Sequence, residues 1–186
     1  QQRDQIQIDE QLAGQYFRDP DYENAKDLYK KLYEKSNQIY HFQQFIECCI
    51  QLKQYKEAEK ELQSFVKSHP SYPKGFADLV YVYTLQDKND KAKKQFDEIL
   101  KSLTKNAAII RNMGNAFLVR GLYEQANAIY ERGNKLMEGE DNFYLDQAYL
   151  NQTTANYQDA FTYYFLELEV HPGQYNNIQN RLQTMM

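Results

Sequence analysis

Cysteine is scarce in this chain, with two among 186 residues, and tryptophan is absent. Cys48 and Cys49 are neighbours in a segment patterned as helix, where a mutual disulfide is badly strained, so they neither staple the fold nor mark a compartment. No apolar run approaches the roughly 20 residues needed to cross a bilayer, and no charged-then-apolar leader is present. Positive charge is not in excess either. Net charge is −4 with a sequence pI near 5.5, which disfavours sequence-independent binding to nucleic acid, since that depends on Lys and Arg neutralising phosphates. Catalytic signatures are missing as well: no Gly-rich phosphate loop, nucleophile elbow or metalloprotease motif occurs. Of the three histidines, His69 and His171 each precede a proline and read as turn residues. His41 lies one or two turns from Cys48 and Cys49, yet tetrahedral zinc wants four donors. No metal, cofactor or enzymatic activity is expected.

Aromatics, by contrast, are plentiful. There are 17 Tyr and 10 Phe, and 42% of residues are hydrophobic, enough to bury a sizeable core and to argue against disorder. The chain starts at Gln1 without a methionine and ends at Met186 in a stretch still patterned as helix. A removed secretory leader or an expression tag accounts for that start, and an extracytoplasmic placement is preferred over a cytoplasmic one.

The informative feature is a repeat. Ala58, Ala92, Ala126 and Ala160 are each 34 residues apart, and Ala25 precedes the first by 33. Three residues before each alanine stands Tyr22, Tyr55, Asn89, Tyr123 or Tyr157. Four after it stands Tyr29, Leu62, Phe96, Tyr130 or Tyr164, one helical turn on and on the same face. A second helical pattern lies upstream, with Ala13, Ile46, Val80, Gly114 and Ala148 twelve residues before the alanine and Tyr16, Cys49, Tyr83, Phe117 and Asn151 nine before. Short breakers such as "KQY", "DKN" and "RGLY" permit only an antiparallel turn. Pro73, Asp141 and Pro172 suit helix starts and stops between periods. Ten helices plus the beginning of an eleventh are expected. Small residues such as Gly114, facing Ala126, would let paired backbones approach. Gly121 sits at a turn, where positive φ costs glycine little, and a neighbouring side chain should pack against Gly133 within its helix.

These residues match a known pattern. The period, carried by "LAGQY…DYENAKDLY", "MGNAF…GLYEQANAIY" and "DQAYL…NYQDAFTYY", resembles the tetratricopeptide repeat. The resemblance covers residues 6 to 174. It implies an all-α, right-handed α-solenoid of five helix-turn-helix repeats, at about 6-38, 39-72, 73-106, 107-140 and 141-174, within one array over 1-186, with 175-186 a capping helix or the first helix of a sixth repeat. It also implies a protein or peptide partner held in a concave groove lined by first helices, and no catalysis.

Carried onto this sequence, the groove comprises Tyr40, Gln43 and Glu47, then Lys74, Ala77 and Tyr81, then Arg111, Asn115 and Leu118, and finally Asn142, Leu145 and Tyr149. Tyr81, Asn115 and Tyr149 fall at equal spacing as a ladder, and tyrosine binds through both ring and hydroxyl. Arg111 and Asn115, one turn apart, can grip a carboxylate or a peptide backbone. The family's two-carboxylate clamp is incomplete here, because Asp146, Asn176 and Asn180 stand where other residue types are wanted. An acidic C-terminal tail is therefore not the expected ligand.

Several positions depart from the pattern. Ile46 and Val80 occupy the small position of the first helix, which implies looser helix spacing in repeats two and three. Gln147, Asn151 and Glu167 replace apolar or small residues and must pair or face water, either as a mutual cluster or as a docking point for whatever follows Met186. Asp9 is expected to face solvent, as are the lysines of "DKNDKAKKQF". The "NQT" sequon at Asn151 faces the core and is discounted. Two functions remain open: an interaction scaffold or adaptor, and a non-catalytic part of a longer chain that positions a sensor, enzyme or envelope-associated domain.

Overall fold

A computed structural model describes residues 2–139 and 141–183 of the chain. Readings that rest on Gln1, on residue 140 at the edge of the fourth repeat, or on the last three positions of 175-186 lie outside the described residues. Eleven α-helices follow one another, and no strand occurs among the described residues. They are α1 Gln2–Arg18, α2 Tyr22–Ser36, α3 Ile39–Gln51, α4 Tyr55–Ser68, α5 Pro73–Leu85, α6 Asn89–Ser102, α7 Ala107–Val119, α8 Tyr123–Met137, α9 Tyr144–Thr153, α10 Tyr157–Val170 and α11 Tyr175–Gln183, the last entered through a 3-10 turn at Pro172–Gln174. The all-α class and the helix count match the periodicity. The first helix starts earlier than residue 6, at Gln2.

The turns inside the pairs obey the same 34-residue rule. Lys53, Asp87, Gly121 and Ala155 all have positive φ, at 57°, 56°, 71° and 57°. This left-handed residue reverses the chain within two or three positions. Glycine adopts that conformation without penalty, while a side chain there costs about 1–2 kcal/mol. Pro73 opens α5 at its first turn, where a missing N–H costs nothing. His69 and His171 are the C-caps of α4 and α10, so both are turn residues as read. Asp141 does not cap α9 directly. Asn142 accepts from the N–H of Tyr144 at 3.1 Å.

The helices divide into two compact units, Gln1–Ala92 and Lys93–Met186, the boundary falling inside α6. In the first unit all the aligned alanines are buried. Phe42 stacks on Phe65 with ring centroids 4.1 Å apart, and Phe65 stacks in turn on His69 at 4.2 Å. α3 keeps its distance from α4, packing more closely on the preceding α2. Ile46, wholly buried, holds the two helices apart, as its bulk at a small position implied. The third repeat spans the boundary between the units.

In the second unit α7 and α8 run close along most of their length. A Cβ on Gly114 would lie 2.3 Å from the ring of Tyr130. The space over Gly114 is filled by the ring of Tyr130, one turn beyond Ala126. At Gly133 the expectation holds, since a Cβ would meet Phe143 at 2.5 Å and Ile110 at 2.6 Å. Tyr130, Ile110, Phe117 and Phe143 are fully buried, each contributing roughly 1.5–3 kcal/mol by leaving water. A smaller cluster of Ala148, Tyr164 and Ile178 seats α11 on the last pair.

Candidate functional site

First helices carry most of the residues expected to line a groove, and they fall into a set on each unit. In the first unit Tyr40 begins α3, 55% exposed, with its ring set edge-on to Tyr29. Gln43, a turn later, donates to the hydroxyl of Tyr72, and Glu47 accepts from Gln51 at 3.0 Å. Lys74 and Tyr81 on α5 are half-buried. Ala77 is completely buried and has no surface to offer, a correction to its place in the groove.

In the second unit Arg111 and Asn115 share one face of α7 and both already have partners. Arg111 donates from Nε to Asp146 Oδ2 at 3.0 Å, and its guanidinium lies 5.2 Å from the centre of the Phe143 ring. Asn115, exposed, accepts from the Tyr130 hydroxyl at 2.9 Å. The same tyrosine that packs on Gly114 thus orients Asn115, and burial pushes its phenol pKa up. Burial also raises the Asp146 carboxyl, an effect that Arg111 only partly offsets. Asn142 precedes α9, Leu118 is half-buried, and Leu145 packs on the Ala148 cluster. Tyr149 is 51% exposed. Of the ladder, Tyr81 belongs to the first unit, and Asn115 and Tyr149 to the second.

Polar residues that departed from the repeat pattern are paired, though not with one another as a single cluster. Gln147 accepts from Asn134 at 2.9 Å and donates to Asn127 at 3.0 Å. Asn151 donates to the Gln147 carbonyl and accepts from Asn156. Glu167 contacts His171 Nδ1 at 3.0 Å through Oε1, while its buried Oε2 lacks a partner. Asp9 is not free in solvent: Gln5 donates to it at 2.8 Å and Lys35 lies 3.6 Å away. Nor is the lysine-rich stretch wholly solvated, because Lys88 and Lys91 both bind the buried Glu59, joined by Gln86.

The ties between pairs were missed in the sequence. Lys26 and Lys30 reach Glu57, and Lys30 also reaches Glu61. Burial alone would raise the Glu59 carboxyl, but hydrogen bonds from Lys88, Lys91 and Gln86 bring it down to about 2. His41, wholly buried, lies 2.8 Å from Glu10 Oε1 and 2.9 Å from Ser36 Oγ. Ser36 donates to the Leu32 carbonyl at 2.7 Å, so this trio brackets α1, α2 and α3 rather than preparing a nucleophile. The available signal was spacing: these partners sit 27 to 32 residues apart, just short of one period. Burial pushes both cysteine thiols up to about 12, which keeps them protonated and unreactive. Among the described residues no three His, Cys, Asp or Glu side chains are placed to hold a metal ion. No described helix is long and apolar enough to cross a membrane.

The unit of the fold is a helix pair with a left-handed turn residue every 34 positions and, at Gly114, a ring packed over the small residue of the first helix. In fold, the helix pairs resemble tetratricopeptide repeats. Solved structures with a likeness to the chain include a thermophilic TPR protein from Thermus thermophilus, at 16% identity and TM-score 0.46 over 97% of this chain and 98% of that one. Another is MamA from Desulfovibrio magneticus, at 14% and 0.48 over 92% and 97%. A tetratricopeptide repeat protein from Parabacteroides merdae is similar at 14% and 0.48 over 97% and 73%. No protein-family model and no curated protein matches the chain.

Proposed function

We infer that the protein is a non-catalytic interaction scaffold that holds an extended peptide or a loop of another protein against the first helices of its repeats. The observation that carries this reading is the division of labour on those helices. Their inward faces are spent on the core, while Tyr40 and Tyr149 stand more than half exposed and Asn115 is oriented by a buried tyrosine. Rigid aromatic rings on a fixed backbone lose little entropy on binding. Tyr40, Gln43, Glu47, Lys74 and Tyr81 would serve in the first unit, and Arg111, Asn115, Leu118, Asn142, Leu145 and Tyr149 in the second. Capture from a lysate by the wild type and by a Tyr81→Ala, Arg111→Glu double variant tests it. Loss of a partner with unchanged circular dichroism supports the reading, and equal capture moves the site to another face.

A second reading, that the repeats form part of a larger assembly built onto their last pair, is favoured by one observation. In earlier pairs the residues one and five after the aligned alanine reach the next pair: Lys26 and Lys30 to Glu57, Glu59 to Lys88 and Lys91, Asn127 to Gln147. On α10 the same places hold Phe161 and Phe165, 37% and 61% exposed. A further helix stacked beside α10 would cover them.

A further inference from the structure

At the end of the last pair, the start of α9 and the end of α10 enclose a cleft of about 540 Å³. Its polar wall is dominated by one sign of charge. Asp141, Asp146 and Glu167 all line it, against the guanidinium of Arg111. That guanidinium is already engaged with Asp146 and with the Phe143 ring. Glu167 is 4% exposed, and its Oε2 has no hydrogen-bond partner. A buried carboxylate oxygen left so is costly, and its field is little screened by water. The carbonyl end of α10, at Val170, adds a partial negative charge on the same side. One guanidinium thus faces three acidic side chains along the cleft. Leu145 and Val170 give the lining its aliphatic surface, and His171, which touches Glu167 Oε1 at 3.0 Å, and the turn after α10 close its far side.

We propose that this cleft receives a lysine or arginine side chain of the bound peptide, its charged head facing Asp141, Asp146 and Glu167 and its methylenes lying on Leu145 and Val170. The proposal rests on the scaffold reading and names the chemistry of one partner residue. A metal ion is a poor occupant, since the carboxylates do not converge as ligands, whereas a long cationic side chain can bridge groups that are spread along a wall.

The probes are Nα-acetyl-lysine N-methylamide, its arginine counterpart and the uncharged norleucine counterpart, followed through the methyl signals of Leu145 and Val170 by NMR. Saturable shifts with the two cationic probes, and at least about tenfold weaker binding of norleucine, are expected. Asp141→Asn, Asp146→Asn and Glu167→Gln keep size and hydrogen-bonding capacity, and each should weaken the cationic probes severalfold while helical circular dichroism is retained. Equal response to norleucine, or no response to either cation in the folded wild type, overturns the proposal. Capture of the partner by Asp141→Asn and Asp146→Asn separates the two ideas. Undiminished capture with failed probes removes the cation site and leaves the scaffold standing, while absence of any partner that depends on the first helices removes the scaffold reading itself.

Discussion

The second unit brings α7 and α8 together where the ring of Tyr130 covers Gly114, whereas the first unit, with Ile46 at the same place, keeps α3 away from α4 and close to α2. One repeat thus tolerates two packings. Where the first helix carries no side chain, a ring fills the gap inside the pair. Where it carries isoleucine, closeness shifts to the junction between pairs. The ties between pairs differ as well. In the first unit charge links second helices, through Lys26 and Lys30 with Glu57 and through Glu59 with Lys88 and Lys91. In the second unit amides tie the second helix α8 to the following first helix α9, with Gln147 held between Asn127 and Asn134. The comparison teaches that the spacing of the repeat is fixed by its turns, while the glue is free to vary.

The most damaging way to test this contrast is Tyr130→Ala. It empties the space over Gly114 and frees Asn115, at an expected cost of about 3–5 kcal/mol, read by denaturant unfolding. Next in size is Glu59→Gln, which leaves two lysines facing a neutral amide and should cost about 1.5–3 kcal/mol at pH 7. The sign of its pH dependence is set by the lowered pKa values of Glu57 and Glu59. The contribution of Glu59 is full above the unfolded carboxylate value of 4.5 and is lost as pH falls toward about 2, and that of Glu57 is lost in the same direction. Asp146 runs the other way: raised by burial, it favours the folded state below its unfolded value and opposes it as pH rises. Amide exchange at pH 3 should therefore quicken in α2 and α4 more than in α7 and α9, and an equal change in both units would erase the distinction.

Smaller effects come from the small residues and the turns. Gly114→Ala forces a buried ring to move and should cost about 1–3 kcal/mol, visible as a lowered melting temperature. At Ala155 a glycine relieves the left-handed strain seen at φ 57°, so Ala155→Gly should gain about 1 kcal/mol, while Gly121→Ala loses a similar amount.

Much of this architecture was legible in the chain. The aligned alanines fixed the second helices, and the short breakers fixed the pairs, because turn chemistry and helical period are local properties. The loose spacing at Ile46 was also readable from side-chain volume. Less local facts were not. That the ring of Tyr130 sits over Gly114 depends on which side chain turns inward. The division inside α6 has no compositional mark. The pairing of buried Glu59 with Lys88 and Lys91 joins residues nearly one period apart, which no local pattern marks. At the candidate site, exposure of Tyr40 and Tyr149 followed from helix phase, whereas the engagement of Arg111 with Asp146 required knowing where α9 lies against α7.

The scaffold reading is tested most directly by hydrogen exchange of the protein with and without its captured partner. Slowed exchange should concentrate on the first helices α3, α5, α7 and α9, next to the exposed rings of Tyr40 and Tyr149. Protection confined to α10, around Phe161 and Phe165, would contradict that placement.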